Sequence, residues 1–392
     1  MNIIYIGSFR FPHFDAAAAR VLNVARALRN AGHNVSFISW GGEQCKGYLS
    51  GDGMWRYDGF PYIVTNELPQ SGLSMIGKLR NKFQRGNKTK RLLYSWQEPI
   101  DVIITYNNSL CRWLIPFCNK HGIKLINDIT EWYAYNELNP LEWISYAYDM
   151  HFRQKKVKNK IVISSYLDRF YSTTHNIVIP ATCDASELKW HSNLNYAKVF
   201  VKPYDGITLI YAGNPAKKDL VHNAINAVHS LAEEGQAIRF LILGVTKESY
   251  ISRYSSRLES SSLNDNIIFL GRVSQEVIPS FYHQADFMVL LREQTRKSNA
   301  GFPTKFAESF ISGTPVIANL TSDLGGYLKD GETGYVVPEP SVEAIYQILK
   351  KIILSLTKAD IGIIKNNVRE AAKQLDYHAY IEPLSDFMAN LK

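Results

Sequence analysis

Ile3-Ile-Tyr-Ile-Gly7, then Ala16-Ala-Ala-Ala-Arg-Val-Leu-Asn-Val-Ala-Arg-Ala-Leu-Arg-Asn-Ala31, then Val35-Ser-Phe-Ile-Ser39, read as strand, helix and strand. The two flanking runs are short, apolar and β-branched. In the middle one, Val21, Val24, Ala25 and Leu28 share a helical face, while Arg20, Arg26 and Arg29 are expected to point elsewhere. Gly32 stands where the helix should stop. This is a βαβ opening. Working outward, further strands are expected at Tyr62–Thr65, Val102–Thr105, Lys124–Asn127, Ile161–Ser164 and Asn176–Ile179.

After Pro180 a polar, irregular stretch runs from Asp184 to Asp205, and then the pattern restarts. Ile207–Tyr211 reads as a strand, and Val221, Ile225, Val228 and Leu231 mark a helix face. Strands follow at Ile238–Leu243, Ile267–Leu270, Phe287–Leu291 and Val316–Ala318. The fold class is therefore α/β, with two βα-repeat domains in series, each built on a mainly parallel sheet with right-handed crossovers. A length of 392 residues agrees with two domains. Ligand sites in such sheets lie beyond the carboxyl ends of the strands.

Composition excludes several classes. With 46% hydrophobic and 20% charged residues, the chain is neither collagenous nor disordered. Its four cysteines (Cys45, Cys111, Cys118, Cys183) are too scattered for a disulfide framework, and no Cys/His cluster suggests zinc. The opening run has no basic flank and reads as a strand, not a signal peptide. No apolar stretch is long enough for a membrane span. Reduced thiols and a cytoplasmic location are the expectation.

The net charge of +8 is unevenly placed. Lys78, Arg80, Lys82, Arg85, Lys88, Lys90 and Arg91 form a run without an acid, interleaved with Leu79, Phe83, Tyr94 and Trp96. A second basic run, Arg153 to Lys160, follows the aromatic stretch Trp143–Tyr148. Such mixtures fit peripheral contact with an anionic membrane, or a solvated face. Nucleic acid is not expected, because no recognised nucleic-acid signature accompanies the charge.

Two segments can carry anion chemistry. The loop Gly7–Pro12 lacks the glycine pattern of dinucleotide folds, which argues against a dehydrogenase, yet it leads into a helix N-terminus. Arg20 in that helix reads equally as an anion ligand or a solvated side chain. In the second half, Gly213, Asn214, Lys217 and Lys218 follow the first strand, where a lysine offers a mobile cation to a diphosphate. The segment Ser298-Asn-Ala-Gly-Phe-Pro-Thr-Lys-Phe-Ala-Glu308, continuing to Gly313-Thr-Pro-Val-Ile317, opens a helix with small residues. It places backbone N–H groups near Pro303, Thr304 and Lys305, and Glu308 about one turn in. An ordinary surface pair of Lys305 with Glu308 is the alternative.

The order Gly213…Lys218, Gly271-Arg-Val273, Ala285-Asp286 and Gly301-Phe-Pro…Glu308…Gly313-Thr-Pro-Val-Ile317 resembles the retaining, nucleotide-sugar-dependent glycosyltransferases of family 4. Ala31-Gly-His-x-Val35, Ile163-Ser-Ser-Tyr-Leu167 and Val178-Ile-Pro180 agree with it. The resemblance is closest to members that build bacterial surface polysaccharides. It implies a GT-B fold of two Rossmann-like domains facing across a cleft, residues 1–188 on the acceptor side and 189–375 on the donor side. A last helix, within 376–392, would cross back to the first domain.

By the same resemblance Glu308 binds the donor ribose, Lys218 or Lys217 the diphosphate, and the backbone at Arg272 and Val273 the base. Gly7 and its loop face the phosphates from the other side, and Arg292 helps stabilise the leaving diphosphate. Asp128 and Glu131, in Asn127-Asp-Ile-Thr-Glu-Trp-Tyr133, are candidate catalytic carboxylates on the acceptor side, with helix capping as the plain alternative for Asp128. One departure stands out: the family has a second glutamate eight positions before Glu308, and this chain has Ala300. Backbone from Asn299 through Gly301 to Phe302 would substitute. No Asp-x-Asp is present, and neither cofactor nor metal is expected. The implied partners are a nucleoside-diphosphate-sugar donor and a saccharide or lipid-linked acceptor. The rival readings are a non-catalytic nucleotide-sugar-binding subunit and a same-fold nucleotide-sugar 2-epimerase.

Overall fold

A computed structural model describes residues 1–12, 15–43, 47–50, 54–68, 77, 84–133, 135–191, 195–215, 218–258, 263 and 265–392. The chain divides into two compact units. One comprises Met1–Thr182 with Tyr377–Lys392, the other Cys183–Asp376, so the first division falls before the expected residue 188.

The first unit holds a nine-stranded sheet. Its strands are β1 (Asn2–Phe11), β2 (Asn34–Gly42), β3 (Tyr48–Leu49), β4 (Trp55–Tyr57), β5 (Phe60–Val64), β6 (Val102–Tyr106), β7 (Lys124–Ile129), β8 (Asn159–Val162) and β9 (His175–Val178). Their spatial order is β3-β4-β5-β2-β1-β6-β7-β8-β9. All neighbours run parallel except the edge hairpin β3-β4-β5, which the sequence reading did not anticipate. Alternation along β1 separates two cores. Ile3 and Tyr5 pack on one face, against the helix Ala16–Asn30, and Ile4 and Ile6 on the other, with Trp40 and Leu114.

β1 runs past Gly7 because Phe9 and Phe11 are fully buried and join an aromatic cluster around Phe37. The expected loop Gly7–Pro12 is therefore mostly strand, with a register shift between Gly7 and Arg10. The helix Ala16–Asn30 starts at Asp15, whose carboxylate accepts from the Ala18 N–H at 2.8 Å. Its arginines correct the expected solvent face, since Arg20 and Arg26 are buried by pairing with Asp128 and Asp58. Lys160, in the second basic run, is also fully buried, its ammonium 4.9 Å from the centre of the Tyr171 ring.

The second unit has six parallel strands: β10 (Ile207–Ala212), β11 (Ile238–Leu243), β12 (Ile267–Gly271), β13 (Phe287–Leu290), β14 (Val316–Ala318) and β15 (Gly334–Val336). They are ordered β12-β11-β10-β13-β14-β15. Ile207, Leu209 and Tyr211 pack with Val221, Ile225 and Val228 of the next helix in one core. At the division, Cys183 and Asp376 form a parallel bridge, so the outgoing and returning chain run side by side. The last helix, Ile381–Ala389, belongs to the first unit, where Leu384, Phe387 and Met388 are buried with Val21, Val24 and Leu28.

Candidate active site

In the second unit, charged groups collect where β10 and β13 end. Gly213 follows β10 with φ of +137°, and a Cβ there would lie 2.3 Å from Cε of Lys305. The absence of a side chain thus lets Lys305 cross over the strand end. Its ammonium lies 3.1 Å from Asp219 Oδ2 and 5.0 Å from the centre of the Tyr211 ring. The Tyr211 hydroxyl donates to the same oxygen at 2.6 Å. Arg292, just past β13, donates from Nε to Asp219 Oδ1 at 2.9 Å, and its backbone forms an isolated bridge with Asp219. Asn319 fixes the Arg292 backbone through two hydrogen bonds of 2.8 Å.

Around one carboxylate, then, stand Lys305, Arg292 and Lys218. Burial alone would raise the pKa of Asp219, but Lys305 and Arg292, with the Tyr211 hydrogen bond and Lys218, drive it well below the usual carboxylate range. Burial, together with Arg292, pulls Lys218 down to about 8, while Asp219 opposes the shift. Among the described residues of the cluster, Lys305 and Arg292 pair with Asp219 while Lys218 acts on it electrostatically, a surplus of positive charge that suits an anionic ligand.

The helix Thr304–Ile311 starts at Pro303, with no side chain capping it, so its first N–H groups stay available. Phe302 packs against Phe306 and Tyr327 and anchors the entering loop. Glu308 is partly buried, and its carboxylate accepts no hydrogen bond among the described residues. Burial raises its pKa from the ordinary value, opposed by Lys189 and Lys305. The Tyr282 hydroxyl, whose own pKa is raised by burial and then by Glu308, is buried without a hydrogen-bond partner among the described residues.

Ala300 is fully buried at the end of the short helix Arg296–Ala300, and Asn299 accepts from the Ser322 N–H at 3.0 Å. Gly301 follows as that helix's C-cap. Arg272 is exposed just after β12, next to Val273, and Asn214 is exposed and bonded to Arg253. Lys217 lies outside the described residues.

In the first unit the candidates separate. Asp128 is inside β7, not at a helix N-terminus, and is fully buried. It accepts from Arg20 Nε at 3.0 Å and Nη2 at 2.7 Å, and from the Tyr5 hydroxyl at 2.5 Å. The other Arg20 nitrogen donates to the carbonyls of Ile179 and Pro180. Both charges are thereby committed to each other, and neither is presented to a ligand in this conformation. Glu131 is only partly buried, beyond the strand, where the Tyr133 hydroxyl donates to it. Gly7, with φ of +154°, passes so close to Ser109 that a Cβ would meet its Oγ at 2.7 Å.

The sequence reading missed Asp219 as a site residue. Its signal was present, as one acid directly after two lysines at a strand end.

Comparison with known proteins decides the character of the second unit, for residues 194–374 match the family described as Glycosyl transferases group 1. The Asp219 cluster and the Thr304–Ile311 helix both lie inside the matched stretch. WcaL of Escherichia coli (strain K12), named for colanic acid biosynthesis, is 26% identical over 148 residues, covering 38% of this chain and 36% of WcaL. The lipopolysaccharide 1,2-N-acetylglucosaminetransferase of Salmonella typhimurium is 23% identical over 232 residues, covering 56% of this chain and 58% of that protein. The chain thus matches about a third of the length of WcaL and under two thirds of the second relative. Among solved structures, sucrose-phosphate synthase from Thermosynechococcus elongatus superposes with a TM-score of 0.71 at 15% identity, covering 100% of this chain and 98% of that one. Anabaena Alr3699/HepE in complex with UDP-glucose gives 0.69 at 13% identity, covering 100% of both chains. The whole chain therefore has the GT-B fold of two Rossmann-like units.

Proposed function

We propose that the chain is a retaining glycosyltransferase of family 4 type. It moves a sugar from a nucleoside-diphosphate donor to a hydroxyl of a saccharide or lipid-linked saccharide during bacterial surface-polysaccharide assembly, on the cytoplasmic side of the membrane. The observation that carries the reading is the surplus of cations around Asp219, beside the uncapped helix that bears Glu308. Relatives named for colanic acid and lipopolysaccharide synthesis support the pathway class, and a neighbour solved with UDP-glucose supports the donor class.

In this mechanism the bond from the anomeric carbon to the diphosphate oxygen breaks while a bond to the acceptor oxygen forms on the same face. The acceptor proton passes to the departing phosphate oxygen, so no enzyme nucleophile is needed. Lys218 and Lys305 meet the charge that develops on the leaving diphosphate, with Arg292 holding Asp219 in place between them. The N–H groups at Thr304 and Lys305 add the positive end of the helix dipole. Fixed cations at the leaving group fit a reaction run without a metal. Glu308, whose carboxylate accepts no hydrogen bond among the described residues, takes the ribose hydroxyls, and Glu131 is the candidate carboxylate for the acceptor.

A thermal-shift panel of UDP, GDP, ADP, CMP and their sugar conjugates tests the donor site, because a ligand of the native state raises its melting temperature. One nucleoside diphosphate should give a selective shift that Glu308→Ala abolishes. Replacing Lys218 or Glu308 by Ala should also lower turnover at least about tenfold. Near-normal rates in both variants would sink the site assignment. A nucleotide shift without any turnover would instead favour the non-catalytic subunit that Ala300 suggests, and conversion of the sugar nucleotide without an acceptor would mark an epimerase.

A further inference from the structure

In the first unit, the helix Pro140–Tyr148 continues through a π turn, Asp149–Arg153, and a 3-10 turn, Gln154–Lys156. Tyr146, Met150 and Gln154, spaced by four, face inward and are buried. Ile144, Tyr148 and Phe152, at the same spacing, face outward and are 59%, 56% and 61% exposed. The Tyr148 and Phe152 rings stack at 5.5 Å. Apart from that stack, these three large apolar side chains stand in line and largely exposed on one helix surface among the described residues.

Immediately after this stripe come Lys155, Lys156 and Lys158, all exposed. Lys156 and Lys158 also line a cavity of about 300 Å³, together with Lys124, Lys392 and Asn119. Its lining contains four lysines and no Asp or Glu side chain. The cavity lies among the first residues of β7 and β8, at the end of the sheet opposite the strand ends that carry ligands in such folds.

We propose that the stripe and the lysine cavity together form a docking surface for an anionic phospholipid bilayer, with the rings among the headgroups and a lipid phosphate in the cavity. Charge complementarity selects this occupant. Protein interfaces deplete lysine at their centres, whereas apolar rings beside clustered lysines are the pattern of interfacial membrane contact. The proposal deepens the reading of a lipid-linked acceptor by naming the surface that brings the chain to that acceptor. Of the basic run Lys78–Arg91, Lys78, Arg80 and Lys82 lie outside the described residues, and Arg85 interacts electrostatically with Asp149 and Arg153 of the same helical segment.

The test is flotation of the full chain with vesicles of phosphatidylcholine containing phosphatidylglycerol, against pure phosphatidylcholine. The wild type should float with the anionic vesicles at low salt and be released at high salt. Each lysine near the surface contributes about fivefold in partitioning, so Lys156→Gln with Lys158→Gln should weaken it by about 25-fold. Tyr148→Ser with Phe152→Ser should weaken it on both vesicle types. Unchanged flotation of both double variants, or no flotation of the wild type, overturns the proposal. A thermal shift with inorganic phosphate, lost in the lysine variant but unaccompanied by vesicle binding, overturns it in favour of a soluble anion. All these variants should keep the wild-type nucleotide shift. Its absence from every protein would defeat the donor-site reading while leaving the flotation result intact.

Discussion

Two buried carboxylates, one in each unit, show how the same ingredients serve different ends. Asp128 meets one arginine and a tyrosine hydroxyl, and the Arg20 guanidinium is completed by two backbone carbonyls. Positive and negative charge balance, every polar atom is matched, and nothing remains for a ligand. Asp219 also meets an arginine and a tyrosine hydroxyl, but Lys305 and Lys218 join them. On the proposed function, the ratio of charges separates a brace from a receptor, more clearly than burial or residue type does.

The largest expected effect tests the brace. Arg20→Met leaves Asp128 buried and unpaired, and should lower unfolding free energy by about 3–5 kcal/mol in a urea titration. The nucleotide shift of the folded protein should survive; its loss would mean that the pair also serves the donor site. Asp219→Asn should destabilise the free protein as well, yet its melting temperature should rise more on adding a nucleoside diphosphate than the wild type's does. Equal rises would show that Asp219 and the ligand do not share the same cations.

Titration separates the two centres further. The folded pKa of Asp219 lies below its unfolded value, so its contribution to stability is complete above about pH 4 and is lost as pH falls below that. Acid unfolding followed by fluorescence should lose this component in Asp219→Asn. At the other end, Lys218 sheds its proton near pH 8, so diphosphate affinity should fall through about pH 8 and hold constant in Lys218→Arg. The smallest effect belongs to an exposed pair such as Lys373 with Glu370. Removing it should change stability by less than about 1 kcal/mol and leave both centres untouched.

Strand positions were legible because parallel strands buried on both faces are written as apolar runs. Ile238–Leu243 and Val316–Ala318 emerge with the boundaries expected. What escaped were features fixed by long-range partners. β1 extends through Phe9 and Phe11 because Phe37 and Tyr62 wait for them, and no local pattern signals that. Arg20 was read as a possible ligand because its helix alone gives no hint of Asp128, 108 residues further on. The Lys305 and Glu308 segment could be read because its chemistry is contiguous in sequence. Asp219 was missed although it directly follows two lysines, since its role depends on Arg292 and Lys305 arriving from later in the chain.

The bridge between Cys183 and Asp376 marks where the chain leaves the first unit and where it returns. During translation the ribosome therefore releases every residue of the second unit before it releases the helix Ile381–Ala389. Until that helix emerges, the nascent first unit exposes the apolar side of Val21, Val24 and Leu28 that Leu384, Phe387 and Met388 later cover. The order of synthesis thus makes the second unit the earlier of the two to be finished, and gives the growing chain an adhesive patch that only its last segment closes.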